Sequence, residues 1–261
     1  MRCVAVPVPG APTPCAVSVA VCWDIDGTLL RGGRVGGQVL RQAFLAVAGH
    51  EPPPVAMGGM TDHLVAEAFR DGLPPQQAEP LVRRGTEYTR AMVAAIAREW
   101  DGRGPELAGV LTVLPGVSEA VGLLAAQPRV DQIVVTGNVR AGAELKLTVA
   151  GLHPGPFDLD AGVYGDLPGP RSVLVHAARD RLERRHGSPV ALVVVGDTPR
   201  DVEAAHAAGA VAVGVATGAA TVAELAAAGA DHVTEDLSDP ESLVAIVAAA
   251  GEDPHHTRGS V

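Results

Sequence analysis

Aromatic side chains are scarce in this chain: Trp, Tyr and Phe make up 3% of its 261 residues. Val, Ala and Leu must therefore fill any core. With 47% hydrophobic residues there is enough of them for one large domain, or for a core domain with a smaller insertion. Cysteine is almost absent too. Cys3, Cys15 and Cys22 are odd in number and show neither CxxC spacing nor a partner His pattern, which speaks against a disulfide framework or a zinc site. Basic charge is in deficit, with 20 Lys and Arg against 30 Asp and Glu, a formal charge of -10 and a pI near 5.3. Broad nucleic-acid binding is disfavoured, since phosphate backbones attract clustered Lys and Arg. Any anionic ligand must be met by a local basic group or a metal. Long apolar runs are missing as well: no segment reaches membrane-spanning length without Gly, Pro or charge. The first twenty residues are apolar, but Pro7, Pro9, Pro12 and Pro14 break a signal-peptide helix. A ragged extension (1–16) on a cytoplasmic protein is expected.

Against these absences stands one dense stretch, Val21-Cys22-Trp23-Asp24-Ile25-Asp26-Gly27-Thr28-Leu29-Leu30. The apolar, β-branched run from Val17 to Trp23 has the length of a buried strand, and it delivers two carboxylates and a glycine turn at its carboxyl end. In an open α/β sheet that end is the rim where ligands bind. One carboxylate there can attack an electrophile while its neighbour moves protons and a cation offsets their shared charge. A capping Asp and an Asx turn would explain the same residues without chemistry.

After glycines 32, 33, 36 and 37, apolar residues recur at helical spacing to Gly49. A loop with three consecutive prolines and Gly58-Gly59 follows. Thr61 is placed to cap a helix that stops at Gly72, and helices are expected over 76–84 and 86–100. Residues 36–110 thus read as all-helical. Strand and helix then alternate: a helix after Gly116, a strand at 130–135, a helix to Gly151, a short strand at Gly162–Gly165 and a helix at 171–185. Strands at 190–195 and 211–215 follow, each with its helix, then a strand at 231–233 and a last helix. The rhythm implies βαβ units on a parallel sheet. From Gly251 onward a polar tail (251–261) is expected, and His255 and His256 in it read as solvated chain.

Three strand ends carry polar residues: Asp24 and Asp26, Thr136 and Asn138, Asp197 and Asp201. Parallel strands would gather them along one rim. Four acids and a hydroxyl around a point suit a hard cation such as Mg²⁺, which takes carboxylate and water oxygens. In order and spacing these motifs resemble the haloacid dehalogenase superfamily of hydrolases, in the branch with a helical cap and phosphoglycolate phosphatase or β-phosphoglucomutase-like members. The resemblance covers roughly residues 17–248.

It implies a three-layer Rossmann-like α/β core (17–35 and 111–250) with an inserted α-helical cap (36–110). It further implies an Mg²⁺-dependent phosphatase for a small phosphorylated metabolite, monomeric or homodimeric, that touches neither nucleic acid nor membrane. By resemblance Asp24 is the nucleophile that forms an aspartyl-phosphate, and Asp26 the acid and base. Asp197, with the Asp24 carboxylate and the Asp26 carbonyl, would hold the metal, and Asp201 would complete the acidic site. Thr136, with amides near Gly137 and Asn138, would bind the phosphoryl oxygens. Independently of the resemblance, Gly58 to Asp62, with Thr61, is a candidate substrate contact, since a loop between cap helices can face the rim; a helix start capped by Thr61 would explain the same residues. The family's basic residue corresponds best to Arg171 at a helix start. Lys146, one of very few lysines, is the competitor; about two turns beyond the rim, it is expected to be a solvated helix residue. Asp26 points to phosphate esters, because by resemblance true dehalogenases lack an acid there. A phosphomutase and a phosphoryl-accepting signalling receiver are the alternatives.

Overall fold

The computed structural model describes residues 18–252. The N-terminal extension, Cys3, Cys15, His255 and His256 lie outside them. The first strand, β1 (Ser18–Trp23), is central in a five-stranded parallel sheet of order β4-β1-β5-β6-β7, with β4 (Val130–Val134), β5 (Val190–Gly196), β6 (Val211–Val215) and β7 (His232–Thr234). Its side chains alternate between two apolar layers. Val19, Val21 and Trp23 join one cluster with residues of α6 (Val117–Ala125), α7 (Arg140–Val149) and α11 (Pro240–Glu252). Ala20 and Cys22 join the other, under α8 (Arg171–His186), α9 (Pro199–Ala207) and α10 (Val222–Ala227). A strand covered on both faces can be apolar throughout, and β5 (VALVVVG) is buried at every position. Burial there pushes the Cys22 thiol up to about 12, so it is an inert core residue.

Register decides where the polar strand ends meet. Trp23 is opposite Val134 on one side and Val195 on the other. Asp24, Thr136 and Asp197 therefore leave the sheet side by side at its carboxyl rim. The short strand expected near Gly162 is reduced to a single bridge between Val135 and Val163, because the chain passes the sheet edge without following it.

Between β2 (Leu30–Arg31) and β3 (Thr112–Val113), an antiparallel pair too short to leave a period in the sequence, the chain builds five helices. These are α1 (Val35–Ala48), α2 (Asp62–Asp71), α3 (Pro75–Arg84), α4 (Thr86–Glu99) and α5 (Gly104–Ala108). Helix α1 turns Val35, Val39, Ala43 and Phe44 inward and ends at Gly49 in the left-handed conformation (φ 79°). The inserted helices share an apolar cluster around Phe44, Tyr88, Met92, Ile96 and Trp100. Val139, just before α7, belongs to it as well, which ties the insertion to the sheet layer.

Candidate active site

Asp24 follows β1 with its side chain only 9% exposed. Arg171, the first residue of α8 after Pro170, reaches across: its Nη2 is 2.7 Å from Asp24 Oδ1 and its Nε 2.6 Å from Asp201 Oδ1. An Arg fork suits such a bridge because its donors are fixed in one plane. Arg171 Nη2 also donates to the Val135 carbonyl at 3.4 Å. Asp201 holds the other end of the bridge from within a capping box, its Oδ2 accepting from the amide (3.0 Å) and hydroxyl (2.6 Å) of Thr198. Asp201 Oδ1 is paired by charge alone: it is buried and receives no aligned hydrogen bond.

Carboxylate oxygens of Asp24, Asp197 and Asp201 lie within 4.8 Å of one another. Asp197 is boxed in by backbone: a Cβ on Gly27 would sit 2.3 Å from its Oδ2 and one on Gly218 1.6 Å, so neither position admits a side chain. Thr28 Oγ1 donates to Asp197 Oδ1 at 3.3 Å. Burial, then the charges of Asp24 and Asp201, pushes Asp197 up to about 8. Asp24 is also raised, by burial first and by Asp201, while Arg171 opposes the shift. Three buried acids against one guanidinium leave a surplus of negative charge. A buried, all-oxygen donor set in which three carboxylates share one guanidinium fits a hard divalent cation such as Mg²⁺.

Asp26 is turned away from this trio. Its Oδ2 is 2.5 Å from Lys146 Nζ and accepts from Asn138 Nδ2 at 2.8 Å. Asn138 also donates to Thr136 Oγ1 (2.9 Å) and accepts from Lys146 (2.8 Å). Close packing around Asp26 pushes its pKa up, but Lys146 and Asn138 outweigh that and hold it below the usual carboxylate range. Some 46% of its side-chain surface nevertheless still opens to the cleft.

The expectation that Lys146 is solvated is thus wrong: its side chain is 4% exposed. Helical side chains tilt toward the N-terminus. A long side chain two turns along α7 therefore leans back to the rim, and Trp100 of the insertion lies 5.1 Å beneath its ammonium. A signal was present in the sequence. Lys146, the single lysine of the chain, is in register with the buried Gly142, Ala143 and Leu147 of α7. The choice between Arg171 and Lys146 dissolves, because the two cations serve different acids.

Thr136 is fully buried below the cavity, and Gly137 and Asn138 line it. Gly137 is also the contact with the insertion: its carbonyl accepts from the Asp62 amide at 2.7 Å, and a Cβ would meet the Met60 carbonyl oxygen at 2.3 Å. Thr61, expected to touch substrate, does not line the cavity. It is fully buried, and its hydroxyl caps α2 by accepting from the Leu64 amide at 3.2 Å. Its neighbour Asp62, at the end of the 58–62 stretch expected to face the rim, does line the cavity and accepts from the Val139 amide at 2.7 Å. Burial pushes Asp62 up to about 7 despite that bond.

The family model described as haloacid dehalogenase-like hydrolase matches residues 19–209, a span holding every one of these side chains. The chain belongs to that family. Solved structures of similar fold include several described as hydrolases or phosphatases. A hydrolase from Pseudomonas syringae is 22% identical with TM-score 0.61, covering 88% of this chain and 99% of its own. A protein described as a predicted phosphoglycolate phosphatase from Haemophilus somnus 129pt is 18% identical with TM-score 0.59, covering 89% and 100%. CbbY from Rhodobacter sphaeroides, solved in complex with phosphate, is 17% identical with TM-score 0.59, covering 85% and 96%. At these identities the likeness is one of fold. No curated protein matches the sequence.

Proposed function

We propose that this haloacid dehalogenase-like hydrolase is a phosphomonoesterase for a small phosphorylated metabolite, working through an aspartyl-phosphate. The observation that carries the reading is the juxtaposition of a buried carboxylate, Asp24, and a second acid two residues on that is held in a network of its own. In the first half-reaction an Asp24 oxygen attacks phosphorus, the bond from phosphorus to the ester oxygen breaks, and Asp26, carrying the proton it took from water in the preceding turnover, gives it to the departing alcohol. In the second, Asp26 takes a proton from water as its oxygen attacks phosphorus, which frees Asp24 and inorganic phosphate. Arg171 orients Asp24 and adds positive charge where phosphoryl oxygens gather, and Thr136 with the backbone at Gly137 and Asn138 binds those oxygens. Asp24, Asp197, Asp201 and the Asp26 carbonyl would hold Mg²⁺, which supplies charge neutralisation to the transferring phosphoryl group. The helical insertion is the cap that keeps bulk water from the site. A cytoplasmic location accords with the reading. Among the described residues no helix is long and apolar enough to cross a membrane.

The test is phosphate release from a panel of phosphate esters with Mg²⁺, with EDTA, and with Asp24→Asn. Wild type with Mg²⁺ should turn over. EDTA and the variant should each lower kcat by more than 10³-fold, with the variant's circular dichroism unchanged. Turnover that survives in folded Asp24→Asn would reject the nucleophile assignment.

A further inference from the structure

The cavity over the acids, about 500 Å³, has two unlike walls. Below lie Asp24, Asp26, Arg171 and Asp197. Above, from the insertion, come Val39, Leu40, Met57, Val65, Ile96 and Trp100. The only ionisable residue that the insertion sends to the lining, among the described residues, is Asp62, and one oxygen of its carboxylate, Oδ2, accepts from the Val139 amide. Trp100 offers no donor to a ligand, since its indole nitrogen is packed against Gly142, where a Cβ would come within 2.4 Å. Two carbonyls of the loop in the upper wall are taken as well: Met57 accepts from the Met60 amide and Gly58 from Arg200. Space comes from glycine, because a Cβ on Gly36, Gly37 or Gly58 would meet nothing within 4 Å.

The cations follow the same division. Arg171 serves Asp24 and Asp201, and Lys146 serves Asp26 and Asn138. Arg31, at the rim, donates to the Thr217 carbonyl at 2.7 Å. A sugar seated under the upper wall would exchange water for apolar carbon, and hydroxyls set against Val39, Leu40 and Ile96 would be left unpaired, which costs binding. A second phosphate or a carboxylate would be desolvated there beside Asp26 and Asp62 with no cation from above. An alkyl or aryl group would instead bury its surface against Met57, Leu40 and Ile96, and the thioether can adapt to its shape.

From this we infer that the enzyme hydrolyses phosphate monoesters of apolar alcohols, alkyl or aryl, in preference to esters of sugars, hydroxy acids or bisphosphates. The inference rests on the phosphomonoesterase reading and deepens it. It is a statement about the departing alcohol, independent of how the phosphoryl group is held.

The experiment compares kcat/KM, with Mg²⁺, for ethyl, butyl, hexyl and benzyl phosphate against glycerol 3-phosphate, phosphoglycolate, glucose 6-phosphate and glucose 1,6-bisphosphate. Along the alkyl series kcat/KM should rise about fourfold per methylene, the factor that corresponds to about 0.8 kcal/mol. Benzyl phosphate should exceed each polar ester at least tenfold. Met57→Arg, on a partly exposed loop, should lower the value for benzyl phosphate about tenfold and raise that for phosphoglycolate. A flat alkyl series, or a polar ester equal to benzyl phosphate, overturns the inference while leaving a phosphatase. If no ester of either kind releases phosphate, the phosphomonoesterase reading falls and the inference with it.

Discussion

Replacing Lys146 by Met tests the least expected contact in the site. Methionine is similar in length and apolar, so it can fill the same buried channel over Trp100 while removing the charge. Three interactions go with the ammonium. The pair with Asp26 Oδ2 at 2.5 Å is half open to the cleft, so water recovers much of it and its loss costs about 0.5–1 kcal/mol. The bond to Asn138 Oδ1 at 2.8 Å leaves a partly buried acceptor in need, about 1 kcal/mol. The contact with the Trp100 ring adds about 0.5–1 kcal/mol. Relief from burying an ammonium offsets part of this, for a net destabilisation of about 1–2 kcal/mol. In a chain of this size that lowers Tm by roughly 2–6 °C. Because Asp26 is held below its ordinary pKa, its share of the loss is fully present above the unfolded value near 4 and disappears as pH falls through the lower folded value.

The catalytic effect should exceed the stability effect. General acid–base catalysis is worth about 10²–10⁴-fold, and a carboxylate that keeps its place in the chain but loses one of its two tethers, with the other resting on an Asn138 that has itself lost a partner, should forfeit about 10–100-fold in kcat. KM should move less than threefold, since the phosphoryl-binding groups are untouched. The assay is steady-state phosphate release together with thermal melts for Lys146→Met, Asp26→Asn and the double variant. If Lys146 acts through Asp26, the double variant is no slower than Asp26→Asn alone. Losses that multiply, or a lowered Tm with kcat unchanged, would refute the argument and leave Lys146 as packing.

Two other variants address the junction between insertion and core. Asp62 has its folded pKa raised to about 7, so its contribution to stability is whole below the unfolded value near 4 and is lost as pH rises to about 7, at about 1.4 kcal/mol per unit across that window. Asp62→Asn keeps an oxygen for the Val139 amide and removes the titration; urea unfolding at pH 5 and 8 should show a smaller difference for the variant than for wild type, and equal differences would refute the assignment. Gly137→Ala places a methyl 2.3 Å from the Met60 carbonyl oxygen, backbone that cannot yield cheaply. Loss of 1–3 kcal/mol and a KM raised at least tenfold are expected, and an unperturbed KM would show that the 57–62 loop does not shape the substrate site.

The linear chain determined the sheet and the chemistry at its edge. Hydrophobic runs of strand length ending in Asp24, Thr136 and Asp197 are local signals, and parallel pairing in register leaves those ends little choice but to meet. The helices of the insertion were legible for the same reason, as apolar residues at helical spacing with Thr61 and Gly49 marking ends. Tertiary structure alone decided what those helices present to the acids. Lys146 reads as solvent-facing when its distance along α7 is counted, yet a backward-tilting side chain and the Trp100 ring beneath it bring it to Asp26. Thr61 reads as a ligand contact, but its hydroxyl is consumed by the amide three residues on. The pairing of β2 with β3 is two residues deep and leaves no periodicity, although it closes the stalk of the insertion. Spacing along a chain fixes which residues an element displays, whereas side-chain reach and contacts between elements distant in sequence fix which of them share a cavity. The division of this one into a charged floor and an apolar ceiling belongs to the second kind of fact.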